Sequence, residues 1–334
     1  MSDGSSGEGD RTAGGNDSGD GLSDEGDRTT GGEGHGGDGE SDALLYHVDG
    51  DLVPAGAATV PVRDRGFMYG DAVFETLRVY GGDPFEWAAH RERLERSADR
   101  LGFGDAVPGD LRERVAETLA ANDLGEAYCK VSVSRGVQPG KLTPDPEVDP
   151  TAVVYVAPLP RGGVEGDPVW DGPATVQTVR TRRAPDAALP ADAKTHNYLN
   201  GVLARLELRR AATDEYAADE AVMRTVDGHL AEGATSNLFF VDGGVLKTPG
   251  EDLPLLPGIT RSVVLDLAES EEFPVETGRY GVADLREADE AFLTNSTWEL
   301  RPVGSVDGID LPRGPMTRLL ARLFDERVER DHYE

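Results

Sequence analysis

Residues 191–204 read ADAKTHNYLNGVLA. The stretch leaves a loop, RRAPDAALPADA at 182–193, and enters an apolar run whose spacing predicts a helix. Lys194 stands at the junction. It is one of four lysines, with Lys130, Lys141 and Lys247, in a chain that has 33 lysines plus arginines. Most lysines are solvated surface charges. Where arginine has taken nearly every other cationic position, a retained lysine points to a task that a guanidinium cannot perform. A desolvated lysine amine can lose its proton and form a Schiff base with an aldehyde cofactor, whereas arginine stays protonated. The aldehyde cofactor that fits is pyridoxal 5'-phosphate.

That cofactor needs an acidic partner for its pyridine nitrogen, a cradle for its phosphate and walls around its ring. Glu232, in AEGATSNLFF, lies beside a loop of small residues. Gly258, Ile259 and Thr260, in LLPGITRS, open a helix whose free N–H groups and dipole attract anions. Ser296 and Thr297, in TNSTWE, add hydroxyls, and Arg93, in HRERLERSA, adds a fork for bidentate phosphate contact. Each motif alone reads equally well as a hairpin residue, a helix start or a turn. Their order and spacing carry the argument.

The composition excludes other classes. The chain has 334 residues, 63 aspartates plus glutamates and a formal net charge of −30. A nucleic-acid binder or a protein held on an anionic membrane needs a basic face. No apolar run is long enough to span a bilayer, and no charged-then-apolar signal opens the chain, so a cytoplasmic protein is expected. The single cysteine, Cys129, excludes an intrachain disulfide and gives no sign of a metal site. Carboxylate excess with little lysine suits high ionic strength, where screening removes self-repulsion, so salt adaptation is expected.

Residues 1–42 hold 12 acidic and 2 basic residues among many glycines and serines. Such a segment cannot bury enough surface to offset its ordering entropy and is expected to be a disordered acidic tail. Beyond it, the pattern predicts α+β structure: a small domain at 43–160, a linker at 161–167 and a larger domain at 168–334. Hairpin turns are expected at Asp49-Gly50, Gly81-Gly82 and Asp227-Gly228. Helices are expected at 88–103, 110–122, after Lys194, from Gly258 and at 314–331. Strands are expected at 127–134, 151–158 and 173–180.

The segments DRGFMYGDAVFETLRVYGG, HRERLERSADRL, KTHNYLNGVLA, EGATSNLFF and LPGITRS occur in the order of a known family. From about residue 44 to 330 the chain resembles the class IV aminotransferases, the fold-type IV pyridoxal-phosphate enzymes. The resemblance implies a small α/β domain, a larger pseudo-barrel domain and a homodimer. It implies Lys194 as the Schiff-base lysine and Glu232 as the pyridine-nitrogen partner. It implies Arg93, Gly258, Ile259, Thr260, Ser296 and Thr297 around the phosphate, with Tyr198 beside the cofactor.

The family holds branched-chain aminotransferases, D-amino-acid aminotransferases and 4-amino-4-deoxychorismate lyases. AYCKVSVSRG at 127–136 and the late VETGRYGVADLREADEAFLTNSTWELRPV look most like the lyases. FET places Thr76 where lyases often carry a threonine near the lysine. The D-amino-acid branch is disfavoured, because its tyrosine is Phe74 here and its Arg-x-His clamp is absent after SRGVQPGK. Tyr198 and Tyr128 also occur in branched-chain enzymes, so a branched-chain transaminase stays open as the alternative. Phe74, Tyr128, Lys130 and Arg135 are the candidate substrate residues, the last two for carboxylates, though both also read as exposed strand-end charges.

Overall fold

The computed structural model describes residues 44–163, 169–213 and 216–334. The expected tail at 1–42 and most of the expected linker at 161–167 lie outside the described residues. The first sheet is built from β1 (Leu45–Val48), β2 (Asp51–Pro54), β3 (Ala72–Tyr80), β4 (Asp83–Pro84), β5 (Ala127–Ser134) and β6 (Ala152–Pro158). Its strand order is β2-β1-β6-β5-β3-β4, and every pairing is antiparallel. Asp49-Gly50 and Gly81-Gly82 make its tight turns with both residues at positive φ, as two-residue hairpin loops require.

Three helices accompany this sheet: α1 (Arg65–Tyr69), α2 (Trp87–Arg100) and α3 (Leu111–Ala121). The second helix stops short of the expected residue 103 because Gly102 turns left-handed, at φ 76°. Alternate residues Val73, Leu77 and Val79 of β3 bury against α2 and α3, with Leu94, Ala98, Leu111 and Val115. The other face of β3 carries Phe74, Thr76, Arg78 and Tyr80. It turns toward the second half of the chain.

The second sheet holds β7 (Ala174–Arg182), β8 (Glu220–Arg224), β9 (Leu230–Gly233), β10 (Asn237–Asp242), β11 (Val245–Pro249), β12 (Val275–Gly278), β13 (Glu290–Asn295), β14 (Glu299–Val306) and β15 (Ile309–Asp310). Its path is β12-β11-β10-β13-β14-β7-β8-β9, with β15 paired to β14. Leu230 of β9, Leu238 and Phe240 of β10, Leu293 of β13, Val303 of β14 and Val176 of β7 share one core. A sheet whose end strand β9 shares one interior with β10, two strands from the other end, is curled into a half-barrel. The helices α4 (Leu199–Ala211), α5 (Ile259–Ser270), α6 (Val282–Arg286) and α7 (Pro315–His332) complete the chain. The α5 and α7 helices pack with Phe239 and Phe292 on the outer side.

Candidate active site

The six-stranded sheet delivers the lysine. Thr195 bridges Val73 on the β4 side of β3. The Phe74 N–H donates to Lys194 O at 3.0 Å, and the His196 N–H donates to Ala72 O at 2.8 Å. Residues 194–196 are thus one more short antiparallel strand along the first half of β3. Side chains alternate along such a strand. Thr195 therefore points with Val73 toward the core, and Lys194 and His196 point with Phe74 to the opposite face. Across the sheet, Phe74 lies opposite Ser132 and Thr76 opposite Lys130. One face therefore collects Lys194, His196, Phe74, Thr76, Lys130 and Ser132.

The half-buried Lys194 Nζ donates to the Tyr198 hydroxyl at 3.1 Å. It lies 4.4 Å from the centroid of the Phe74 ring. Lys130 Nζ lies 4.5 Å from the same centroid, so the two ammonium groups are no more than about 9 Å apart. His196 packs edge-on against Phe74 at 5.5 Å, and its Nε2 sits 3.2 Å from Ser132 Oγ. The residue as a whole is exposed. The surrounding protein first, and the Lys130 charge second, lower its pKa to about 4. Tyr128 and Tyr155 continue the wall edge-to-face at 5.9 Å.

Behind Phe74, on the helix side of β3, lies a buried ionic group. Arg93 donates from Nε and Nη2 to the two Glu75 oxygens at 2.8 and 2.6 Å. His90 Nδ1 is 2.7 Å from Glu75 Oε2. Burial alone would raise the Glu75 carboxyl, but Arg93 and His90 hold it down at about 2. Arg93 Nη1 also donates to Pro257 O at 2.7 Å, tying α2 to the turn before α5. The Ser97 hydroxyl accepts the Lys194 N–H at 3.0 Å. The lysine backbone is therefore gripped by both α2 and β3.

The half-barrel supplies the other wall. Glu232 is buried on β9. Its oxygens accept Arg183 Nε at 2.5 Å and the Leu256 N–H at 2.9 Å. Burial raises its pKa, and Arg183 and the Leu256 amide oppose the rise. The loop after Glu232 is held from beneath by Glu220. That carboxylate, with no exposed surface, accepts the Thr235 hydroxyl at 2.6 Å and the Ser236 hydroxyl at 3.1 Å. Asn295 Nδ2 donates to Thr235 O at 3.3 Å, bringing the turn that carries Ser296 and Thr297 against this loop. Gly258 caps α5, and a Cβ there would fall 2.0 Å from Asn237 Oδ1.

Three backbone segments thus converge: 234–237, 256–260 and 295–297. The donor set fits pyridoxal phosphate. A buried carboxylate matches a pyridine nitrogen, the first-turn N–H groups of α5 have no helical acceptor, and the Gly258 approach leaves room for no side chain. Lys194 lies within electrostatic reach of Glu232, and Arg93 within reach of Glu232 and Tyr198, while Thr260 and Thr297 stand on the converging segments. Arg135 is engaged elsewhere. It is buried, donates to both Asp71 oxygens at 2.8 and 3.2 Å, and lies over the Phe103 ring. The expectation that it meets a substrate carboxylate is corrected: its guanidinium is consumed by Asp71 and by the carbonyl of Leu101. Glu75, His90, Arg183 and Glu220 were missed by the sequence reading, because their partners are brought together only by the tertiary fold.

A half-buried lysine, a buried carboxylate and a helix start with free N–H groups, at the meeting of a small sheet and a half-barrel, match the layout of a fold-type IV pyridoxal-phosphate enzyme. The family model for amino-transferase class IV matches residues 72–306, and the chain belongs to that family. A putative branched-chain-amino-acid aminotransferase of Methanocaldococcus jannaschii is 36% identical over 266 residues, covering 79% of this chain and 88% of that one. D-alanine aminotransferase of Listeria monocytogenes is 33% identical, covering 85% and 96%. Aminodeoxychorismate lyase of Bacillus subtilis is 30% identical, covering 85% and 95%. Among solved structures, branched-chain aminotransferase of Thermoproteus uzoniensis superposes with a TM-score of 0.76 at 28% identity, covering 87% and 96%. A branched-chain aminotransferase solved with pyridoxamine 5'-phosphate gives 0.76 at 29%, covering 86% and 94%. The 4-amino-4-deoxychorismate lyase of Pseudomonas aeruginosa gives 0.71 at 32%, covering 86% and 99%. Pyridoxal phosphate is the cofactor of this fold, and the protein is a pyridoxal-phosphate-dependent enzyme.

Proposed function

We propose that the protein is a 4-amino-4-deoxychorismate lyase, forming 4-aminobenzoate and pyruvate. The observation that carries the reading is the second ammonium group: Lys130 shares the Phe74 ring with Lys194 and lies opposite Thr76. A substrate with a carboxylate beyond its reacting amine finds a cation there. The aliphatic side chain of a branched-chain amino acid has no use for it, though the second carboxylate of 2-oxoglutarate would.

Bound pyridoxal phosphate supplies an electron sink. Glu232 would face its ring nitrogen as the acidic partner. Arg93, the N–H groups of Ile259 and Thr260, and the Ser296 and Thr297 hydroxyls would hold its phosphate, with Gly258 giving clearance and Tyr198 beside the ring. Arg93 keeps two N–H groups after its bonds to Glu75 and Pro257. Lys194 Nζ removes the proton from the substrate carbon that bears the amine. With the cofactor's electron sink stabilising it, the electron pair left on that carbon would form the new double bond of the substrate ring as the neighbouring C–O bond breaks, and the departing enolate would take up a proton to become pyruvate. Thr76 holds a proton near the lysine, while Phe74 and Tyr128 wall the substrate. Aromatisation makes this direction favourable.

The active unit is a homodimer. Phe67 and Leu142 are 73% and 79% exposed. Leu199, Val202 and Leu203 form an exposed stripe on α4, and Gly70, which ends α1, abuts Asn197 just before it. This exposed apolar region, which a second copy would cover, supports the reading.

The test is release of 4-aminobenzoate and pyruvate from enzymatically generated aminodeoxychorismate, in multimolar salt and without an amino acceptor. Release is expected, and Lys194→Ala is expected to abolish it together with the visible absorbance of lysine-bound cofactor. No release from folded, cofactor-loaded protein, with turnover of branched-chain amino acids and 2-oxoglutarate instead, would establish the transaminase.

A further inference from the structure

We propose that His196 is a specificity-determining residue: its imidazole, tethered by Ser132, presents Nδ1–H to a substrate carboxylate that Lys130 also contacts. This rests on the reading of that face as the carboxylate side of the pocket. Three observations carry it. Strand alternation puts His196 on the same face as Lys194, which stands two residues earlier. The ring leans edge-on against Phe74, whose ring also receives both lysine ammonium groups. Its Nε2 is engaged by Ser132 Oγ, whereas among the described residues Nδ1 has no hydrogen-bond partner.

The charge state follows from the neighbours. The surrounding protein disfavours the imidazolium first and Lys130 on β5 second, while Asp64, the N-cap of α1, pulls the other way without prevailing. Phe74 and Ser132 add no charge. The ring is thus neutral at working pH and carries one N–H. If the Ser132 hydroxyl donates to Nε2, that proton sits on Nδ1, aimed outward. A neutral donor beside a lysine gives a carboxylate two different contacts. It can therefore select the planar orientation of the anion, which a lysine alone, as a point charge, does not.

The experiment uses the cofactor-loaded enzyme with two probes, 4-aminobenzoate and 2-oxoglutarate, measured by calorimetry beside steady-state kinetics. His196→Phe keeps an aromatic contact with Phe74 but has no donor. Its affinity for the recognised probe is expected to fall about tenfold, the worth of one hydrogen bond to a charged group. KM for the substrate should rise similarly, with kcat little changed. His196→Asn, whose side-chain amide can occupy the Nδ1 position, should recover most of the loss. Ser132→Ala should weaken binding less and change the tautomer seen in nitrogen chemical shifts of the imidazole. Unchanged affinity of His196→Phe for both probes overturns the proposal, as does a His196→Asn as poor as the phenylalanine variant. If 2-oxoglutarate alone shows the His196 dependence and no 4-aminobenzoate is released, the histidine role stands and the lyase reading fails.

Discussion

Glu75 sits in the middle of the FET triplet, where the sequence directs attention to Thr76 instead. In an alternating strand it reads as one more polar position. Its partners stand 15 and 18 residues further on, and only the packing of α2 on β3 brings them to it. Removing one member of a buried charged group costs about 3–5 kcal/mol, since the other is left unpaired. Glu75→Gln is expected to destabilise the folded chain by that order at neutral pH. The carboxyl is lowered in the folded state, from 4.5 to about 2. Its contribution is therefore complete above the unfolded value and lost as pH falls through the folded one. Denaturant titrations at pH 7, 4 and 2.5 should show the gap between wild type and Glu75→Gln closing with acid. A gap constant across that range would contradict the assignment. Lys194 and Glu232 could be singled out as candidates because residue type and local motif point to them. Arg135 misled because nothing near it in sequence reveals that Asp71 lies in reach of its fork.

Among the elements, the start of α5 leaves little room for change. A methyl group at Gly258 would meet Asn237 Oδ1, whose side chain is itself fixed by Nδ2 donating to Leu256 O at 2.9 Å. Gly258→Ala is expected to shift the first turn of the helix by a few tenths of an ångström. Cofactor affinity should fall about tenfold or more, as a displaced anion site loses charge-assisted hydrogen bonds, while the melting temperature of the apoprotein changes little. Fluorescence titration with pyridoxal phosphate checks this, and wild-type affinity would mean that the segment does not cradle the phosphate. Most element boundaries could be read from apolar periodicity and turn residues: β5 occupies 127–134 as expected, and α5 begins one residue after Gly258. The pairing of strands could not. Glu220 supports the loop at 234–236 only because β8 and β9 are neighbours. The sequence shows it merely as an acid before an apolar run.

For the molecule as a whole, the net charge of −30 sets the conditions of work. At about 0.1 M salt the screening length is about 10 Å, longer than the spacing of neighbouring surface carboxylates, and repulsion opposes both folding and association. Multimolar potassium chloride should hold the chain as an active dimer. Dilution to about 0.1 M should cost activity and dimer together, as scattering coupled to gel filtration would report. Removal of residues 1–42 should leave turnover in high salt unchanged, and a collapse would give that segment a part in the site. The curled sheet and the small antiparallel sheet followed from element order and family likeness. Their mutual lock through Arg93 and Pro257 did not, because it depends on a side chain crossing 164 residues of sequence. The short strand at 194–196 has one more consequence. It fills the outer edge of β3 along its first half, as β4 does along the second. A bare edge would offer unpaired amides and carbonyls to any passing chain. The residues that deliver the amine are also the hem of the sheet, so unpicking them would cost the protein its solubility along with its chemistry.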